Sequence, residues 1–111
     1  MEREKILILL VDDDEIGRYT TKKTLITAGY EVVEAETGKR AYDLALQYNP
    51  DLIILDVHLP DISGFEVLKL LKTDERTKIL PVIHLSATYK DMESKITGIT
   101  EGADAYLVST H

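Results

Sequence analysis

The sequence predicts a single α/β domain with a five-stranded parallel sheet and helices on both faces of that sheet. The first observation is that short apolar runs alternate with segments of helical periodicity, in the order βαβαβαβαβ. The second is that the connections between these segments are short, as is usual for right-handed crossover units. The third is the length of 111 residues, which is enough for one domain with its own core.

Five segments are predicted to be strands. Four of them are rich in Ile, Leu and Val, which favours burial in a parallel sheet. They are residues 5–11, 52–55, 82–86 and 105–108. The segment 30–35 contains Glu31 and Glu34, and this more polar pattern predicts a strand at the edge of the sheet. His84 lies inside an apolar strand and is therefore predicted to be a core histidine.

Four segments are predicted to be helices. The first covers about residues 15–28 and ends before Gly29, a residue type that is common just after a helix. The other three have apolar residues at helical spacing. These residues are Ala41, Leu44, Ala45 and Tyr48 in the second helix, Phe65, Leu68 and Leu71 in the third, and Met92, Ile96 and Ile99 in the fourth. Tyr19 and Tyr48 lie on helix faces and are predicted to pack.

The composition excludes several classes of function. The net charge is −7, with 20 acidic and 13 basic residues, so phosphate groups would be repelled and this domain is not expected to bind nucleic acid. The longest apolar run has six residues, far fewer than the roughly 20 of a membrane helix. No signal peptide is visible and there is no cysteine, so we expect a cytoplasmic domain without disulfide or thiolate chemistry.

Polar residues follow several of the predicted strands. Residues 12–14 are all Asp and follow the first strand, Asp56 follows the third, and Ser86 ends the fourth. Parallel strands bring these groups to one edge of the sheet, where clustered carboxylates must protonate or share a cation. A set of oxygen ligands suits Mg²⁺, beside which a carboxylate can attack a phosphoryl group. Asp14 and Glu15 are instead predicted to start the first helix, where negative charge is favourable.

The whole chain resembles the receiver domain of two-component response regulators. The resemblance rests on four motifs that occur in order and at the spacing of the family. They are "VDDDE" (11–15), "DLIILDVHLPDISGFEVL" (51–68), "PVIHLSA" (81–87) and "GADAYLV" (102–108). The resemblance implies a flavodoxin-like doubly wound sheet with the strand order 2-1-3-4-5.

The resemblance also implies a role for each matching residue. Asp56 would accept a phosphoryl group from a histidine kinase or a phosphotransfer protein. The implied Mg²⁺ ligands are Asp12, Asp13, Asp56 and the backbone carbonyl of His58. Ser86 and Tyr106 match the switch positions, which would couple phosphorylation to altered partner binding. The domain would not be an enzyme, but a phosphoacceptor that assists its own phosphotransfer and dephosphorylation.

The sequence departs from the family pattern at its end. Receivers usually have Lys-Pro after the fifth strand, with a cis bond before the proline, and this chain has Ser109-Thr110. Ser109 brings no positive charge, and the usual reason for a cis bond is lost. The chain also stops at His111, before the family's fifth helix. We therefore expect residues 1–111 to be one receiver domain truncated before that helix, and a homodimer is one way to cover the bare face.

Two other functions remain open. Loss of the lysine suggests an atypical receiver that is poorly phosphorylated and serves as a docking or dimerisation module. Aspartyl-phosphate phosphatases also use an acceptor Asp with Mg²⁺, and their pattern is Asp-x-Asp after a strand. Here His58 stands two residues after Asp56, which disfavours this class of enzyme. Dinucleotide binding is disfavoured because no Gly-rich turn follows the first strand.

Overall fold

The structure, a computed structural model, describes residues 5–56, 59–86 and 105–108, with residues 85, 86 and 105–108 described by their backbone alone. These residues form five strands and three helices. In chain order they are β1 (Leu7–Val11), α1 (Glu15–Thr27), β2 (Glu31–Ala35), α2 (Gly38–Tyr48), β3 (Leu52–Asp56), α3 (Gly64–Thr73), β4 (Val82–Ser86) and β5 (Ala105–Val108). The fourth predicted helix, with Met92, Ile96 and Ile99, lies outside the described residues.

The strands form one parallel sheet in the order β2-β1-β3-β4-β5. The predicted flavodoxin-like order is therefore confirmed, and β2 lies at an edge as its glutamates indicated. Between β1 and β3 the register pairs Val11 with Leu55, and between β3 and β4 it pairs Asp56 with Leu85. Because all five strands run in the same direction, their carboxyl ends meet at one edge of the sheet.

Side-chain and backbone caps fix the ends of the helices. Asp14 is the N-cap of α1, and its carboxylate accepts a hydrogen bond from the Gly17 N–H at 3.0 Å. The chain leaves α1 through Gly29, whose φ of 100° favours glycine. Thr37 caps the start of α2, and Asn49 ends it with a left-handed φ of 47°. Within the described part of the chain, no helix has the length and apolar character needed to cross a membrane.

The main core lies between the sheet and helices α2 and α3. It consists of Leu9, Val11, Ala35, Ala41, Leu44, Ala45, Ile53, Leu55, Val67, Leu68, Leu71, Leu80 and Val82. His84 is fully buried, as predicted, with its ring tilted against Phe65 and Nδ1 at 3.3 Å from the Leu55 carbonyl oxygen. Burial lowers the pKa of this imidazole, which favours its neutral form inside the core.

Helix α1 lies against β1 and β2, and none of its residues is fully buried. Tyr19 is 64% exposed, and Tyr48 at the end of α2 is 45% exposed. The prediction that Tyr19 packs was therefore wrong, whereas Tyr48 is partly covered. Helical spacing indicates which residues share a face, but the width of the covered stripe depends on how closely the helix approaches the sheet.

Candidate metal and phosphoacceptor site

Three carboxylates meet at the carboxyl end of the sheet. Asp12 follows β1, Asp13 is its neighbour, and Asp56 is the last residue of β3. One carboxylate oxygen from each residue lies within 4.8 Å of the other two. Asp12 is buried, Asp56 is half-buried and Asp13 is exposed, so the cluster opens towards solvent on one side.

The register of the sheet produces this cluster. Val11 pairs with Leu55 on one side and with Ala35 on the other, so the next residues along β1 and β3 are Asp12 and Asp56. The Asp12 N–H continues the β-sheet pattern by donating to the Ala35 carbonyl at 3.1 Å. The aspartates are therefore held by the ends of buried strands, which gives the cluster a rigid support.

The electrostatics of the cluster favour a cation. Burial raises the pKa of the Asp12 carboxyl, and the charges of Asp13 and Asp14 raise it further. Hydrogen bonds from the Asp14 N–H and with the Asp56 carboxyl act in the opposite direction. A divalent ion would relieve this repulsion, and a set of oxygen donors that leaves room for water fits Mg²⁺. The residues present therefore fit the expected metal.

The other predicted site residues are described only in part. Ser86 ends β4, one residue beyond Leu85, the register partner of Asp56, so its backbone lies at the same edge as the cluster. Tyr106 is paired with His84, two positions before the ends of β4 and β5. His58 lies outside the described residues, as do Ser109 and Thr110.

Arg18 is a residue of this site that the sequence analysis missed. Its Nη1 donates to the Asp12 backbone carbonyl at 2.8 Å. Its Nε lies 3.2 Å from a Glu34 carboxylate oxygen, and its Nη2 lies 3.3 Å from Glu36. The spacing of Arg18 from Asp12 within the chain gives no sign of this contact, because it depends on where α1 crosses the end of β2.

Asp61 was also missed, and it ties the segment after β3 to helix α2. Its two carboxylate oxygens accept the backbone N–H groups of Gly38 at 2.8 Å and Lys39 at 3.0 Å. These bonds, that of Lys39 most, lower the pKa of Asp61, and a negative charge is favourable at the start of a helix. A Cβ on Gly38 would lie 2.5 Å from the Ile62 side chain, so glycine permits this close approach.

Comparisons with known proteins identify what this arrangement resembles. Residues 8–109 match the family model described as the response regulator receiver domain. The chain is 43% identical over 100 residues to the DNA-binding dual master transcriptional regulator RpaA of Synechocystis sp., covering 90% of this chain and 41% of RpaA. It therefore spans less than half the length of that regulator.

Two further matches cover most of both chains. The polar-differentiation response regulator DivK of Brucella ovis is 37% identical over 101 residues, which are 90% of this chain and 80% of DivK. The crystal structure of the receiver domain of the sensor histidine kinase PA1611 from Pseudomonas aeruginosa has a magnesium ion coordinated in its active site cleft. Its TM-score is 0.86 at 26% identity, over 96% of this chain and 87% of that one.

Proposed function

The chain belongs to the response regulator receiver family, and we propose that it accepts a phosphoryl group on Asp56 with the help of Mg²⁺ and thereby changes its interactions with partners. The observation that carries the proposal is the meeting of Asp12, Asp13 and Asp56 at the carboxyl ends of β1 and β3. The magnesium ion in the receiver domain of PA1611 supports the choice of metal. The donor would be a histidine kinase or a phosphotransfer protein.

Asp12, Asp13, Asp56 and the backbone carbonyl of His58 would hold the metal ion. When bound, Mg²⁺ would offset the negative charge of the carboxylates and of the incoming phosphoryl oxygens. An Asp56 carboxylate oxygen then attacks phosphorus, and the new O–P bond forms while the P–N bond of the phosphohistidine breaks. The electron pair of that bond leaves with the imidazole nitrogen, which takes a proton from water.

Ser86 and Tyr106 are proposed as the residues that pass the change on. Ser86 ends the strand next to Asp56, so a hydroxyl there is suited to bind a phosphoryl oxygen. Phosphorylation would then shift an existing equilibrium between two conformations. We also propose a cytoplasmic location and no turnover of an external substrate, so the domain would act as a phosphoacceptor and not as an enzyme.

Phosphorylation by a small donor tests this proposal. The protein is incubated with acetyl phosphate and Mg²⁺, and its intact mass is measured. We expect the mass to rise by one phosphoryl group in the wild type and not in Asp56→Asn or when EDTA removes the metal. Asp43→Asn, an exposed acid on α2, is the matched control and should behave as wild type.

Two results would contradict the proposal. A phosphoryl adduct that persists in Asp56→Asn would place the acceptor elsewhere. Absence of any adduct with acetyl phosphate and with a histidine kinase donor would leave docking without phosphorylation as the function. If the adduct forms slowly, Ser109→Lys tests whether the missing charge limits the rate, and we expect this variant to be phosphorylated faster.

A further inference from the structure

Asp12 is fixed through its backbone and its side chain, and its carboxyl also forms a hydrogen bond with that of Asp56. Its N–H donates to the Ala35 carbonyl at 3.1 Å, and its carbonyl accepts the Arg18 Nη1 at 2.8 Å. Its Oδ1 accepts the Asp14 N–H at 2.9 Å. Among the described residues, Arg18 is the one side chain outside the loop and the sheet that donates to Asp12, so a substitution can remove this contact without altering the acids.

Arg18 joins three separate segments of the chain. Its side chain is 11% exposed, and it reaches from α1 to the loop after β1 and to two acids at the end of β2. Glu34 and Glu36 orient the guanidinium group, whose planar fork then directs Nη1 at the Asp12 carbonyl. The result is a cross-brace between α1, the end of β2 and the backbone of a proposed metal ligand.

We propose that Arg18 is a positioning residue, which holds the Asp12 backbone so that the carboxylates of Asp12, Asp13 and Asp56 stay within reach of one divalent cation. The inference rests on the proposed function, because it concerns the same metal site. Groups that orient metal ligands from outside the coordination sphere commonly affect metal affinity strongly. Arg18 would do so through the main chain, without touching the cation.

The sign of the effect separates positioning from simple electrostatics. Arg18 is positively charged and lies beside an acidic cluster, so through its charge alone it would weaken cation binding. Its removal would then tighten the binding of Mg²⁺. Glu34 and Glu36 already offset its charge by pairing with the guanidinium group. Positioning therefore predicts the opposite result, weaker binding when Arg18 is replaced.

The experiment is a titration of the whole chain with Mg²⁺ by isothermal calorimetry, at a temperature where thermal unfolding shows every variant to be folded. We expect Arg18→Met to raise the dissociation constant about 10-fold. Arg18→Lys keeps the charge but not the fork, and it should remain weaker than wild type. Lys22→Met is the matched control, because Lys22 also binds Glu34 from α1 but makes no contact with Asp12. Its dissociation constant should stay within about two-fold of wild type.

Three results would overturn the inference. They are Mg²⁺ binding by Arg18→Met that equals or exceeds wild type, full recovery in Arg18→Lys, and a loss in Lys22→Met as large as in Arg18→Met. If Arg18→Met does not fold, Glu36→Gln removes one support of the guanidinium at a carboxylate that is 72% exposed, and we expect weaker Mg²⁺ binding there as well. Unchanged binding in that variant would then count against the brace. A wild type that binds no Mg²⁺ would instead defeat the proposed function itself.

Discussion

Helices α1 and α2 lie on opposite faces of the same sheet, and different kinds of contact hold them there. Glu34 faces α1, whereas its neighbours Val33 and Ala35 pack with the core beneath α2. Helix α2 buries Gly38, Ala41, Leu44 and Ala45, and α1 buries no residue completely.

Several polar contacts join α1 to β2 and to the loop after β1. Arg18 and Lys22 both bind Glu34, and Asp14 caps the first turn. Such contacts are weaker than apolar burial, but they are directional, and one of them reaches the loop of the proposed metal site. The comparison indicates that α2 and α3 contribute more apolar burial than α1, whose Arg18 has the positioning role proposed above.

The largest expected effect is a loss of stability on the α2 face. Leu44→Ala should lower the free energy of unfolding by about 2–5 kcal/mol, because Leu44 is 3% exposed and its removal leaves a cavity. Ile26→Ala on α1, where the side chain is 50% exposed, is the matched control and should cost less than about 1 kcal/mol. Urea unfolding measures both. Equal losses would contradict the division between the two faces.

Glycines in the two helices should respond differently to the same substitution. Gly38→Ala places a Cβ 2.5 Å and 2.6 Å from side-chain atoms of Ile62 and Val67, so we expect a loss of about 1–3 kcal/mol. Gly17→Ala places a Cβ 2.8 Å from Asp14 Oδ2 and 3.3 Å from Asp12 Oδ2, which are the ends of carboxylate side chains and not packed core atoms. The better helix propensity of Ala offsets this contact, and the change in unfolding free energy should stay within about 1 kcal/mol. Thermal unfolding of both variants tests the difference, and a larger loss in Gly17→Ala would reverse it.

The smallest expected effect concerns the ionic contacts of α1. Glu34→Gln removes the shared acceptor of Arg18 and Lys22, and it should lower the unfolding free energy by less than about 1 kcal/mol, because the Glu34 side chain is 33% exposed. The loss should shrink in about 1 M salt, which screens such pairs. Leu44→Ala should show no comparable dependence on salt.

Acidification provides a second measurement of the same contact. The hydrogen bond from Lys22 lowers the pKa of Glu34 most, and the Lys22 charge and Arg18 lower it further against the effect of burial. Because the pKa is lowered on folding, the charged Glu34 stabilises the fold fully at pH values above its ordinary pKa of 4.5. This stability is lost as the pH falls through the folded-state pKa. The difference between wild type and Glu34→Gln should therefore close as the pH falls from above 4.5 to below the folded-state pKa. If the two proteins still differ in unfolding free energy at the lower pH, the negative charge of Glu34 is not the source of the stabilisation.

Much of the fold could be predicted because the pattern of the sequence repeats in a regular way. The five strands lie where four apolar runs and one more polar segment predicted them, with β1 and β2 starting two residues and one residue later than predicted and β3 extending to Asp56. The meeting of Asp12, Asp13 and Asp56 followed from parallel topology, since acids that follow parallel strands reach one edge. Asp14 at the start of α1 followed from its capping chemistry. The site roles of His58, Ser86 and Tyr106 stay predictions.

Polar contacts between residues far apart in the chain could not be predicted in this way. Arg18 and Glu34 are 16 residues apart, Gly38 and Asp61 are 23 apart, and Tyr42 donates to Asp74 across 32 residues. The sequence alone does not indicate which of the chain's charged residues form these long-range contacts. The choice depends on crossing angles and side-chain rotamers, which no local pattern contains.

The sequence by itself determined which segments are buried, the order of the elements and the collection of acids at one edge, because hydrophobic periodicity and chain direction are local properties. Only the tertiary structure decided that α1 remains largely exposed and that Arg18 reaches the Asp12 carbonyl. Those outcomes depend on how far each helix stands from the sheet. That distance is set jointly by packing and by long-range polar contacts, so it exists only once the whole fold has formed.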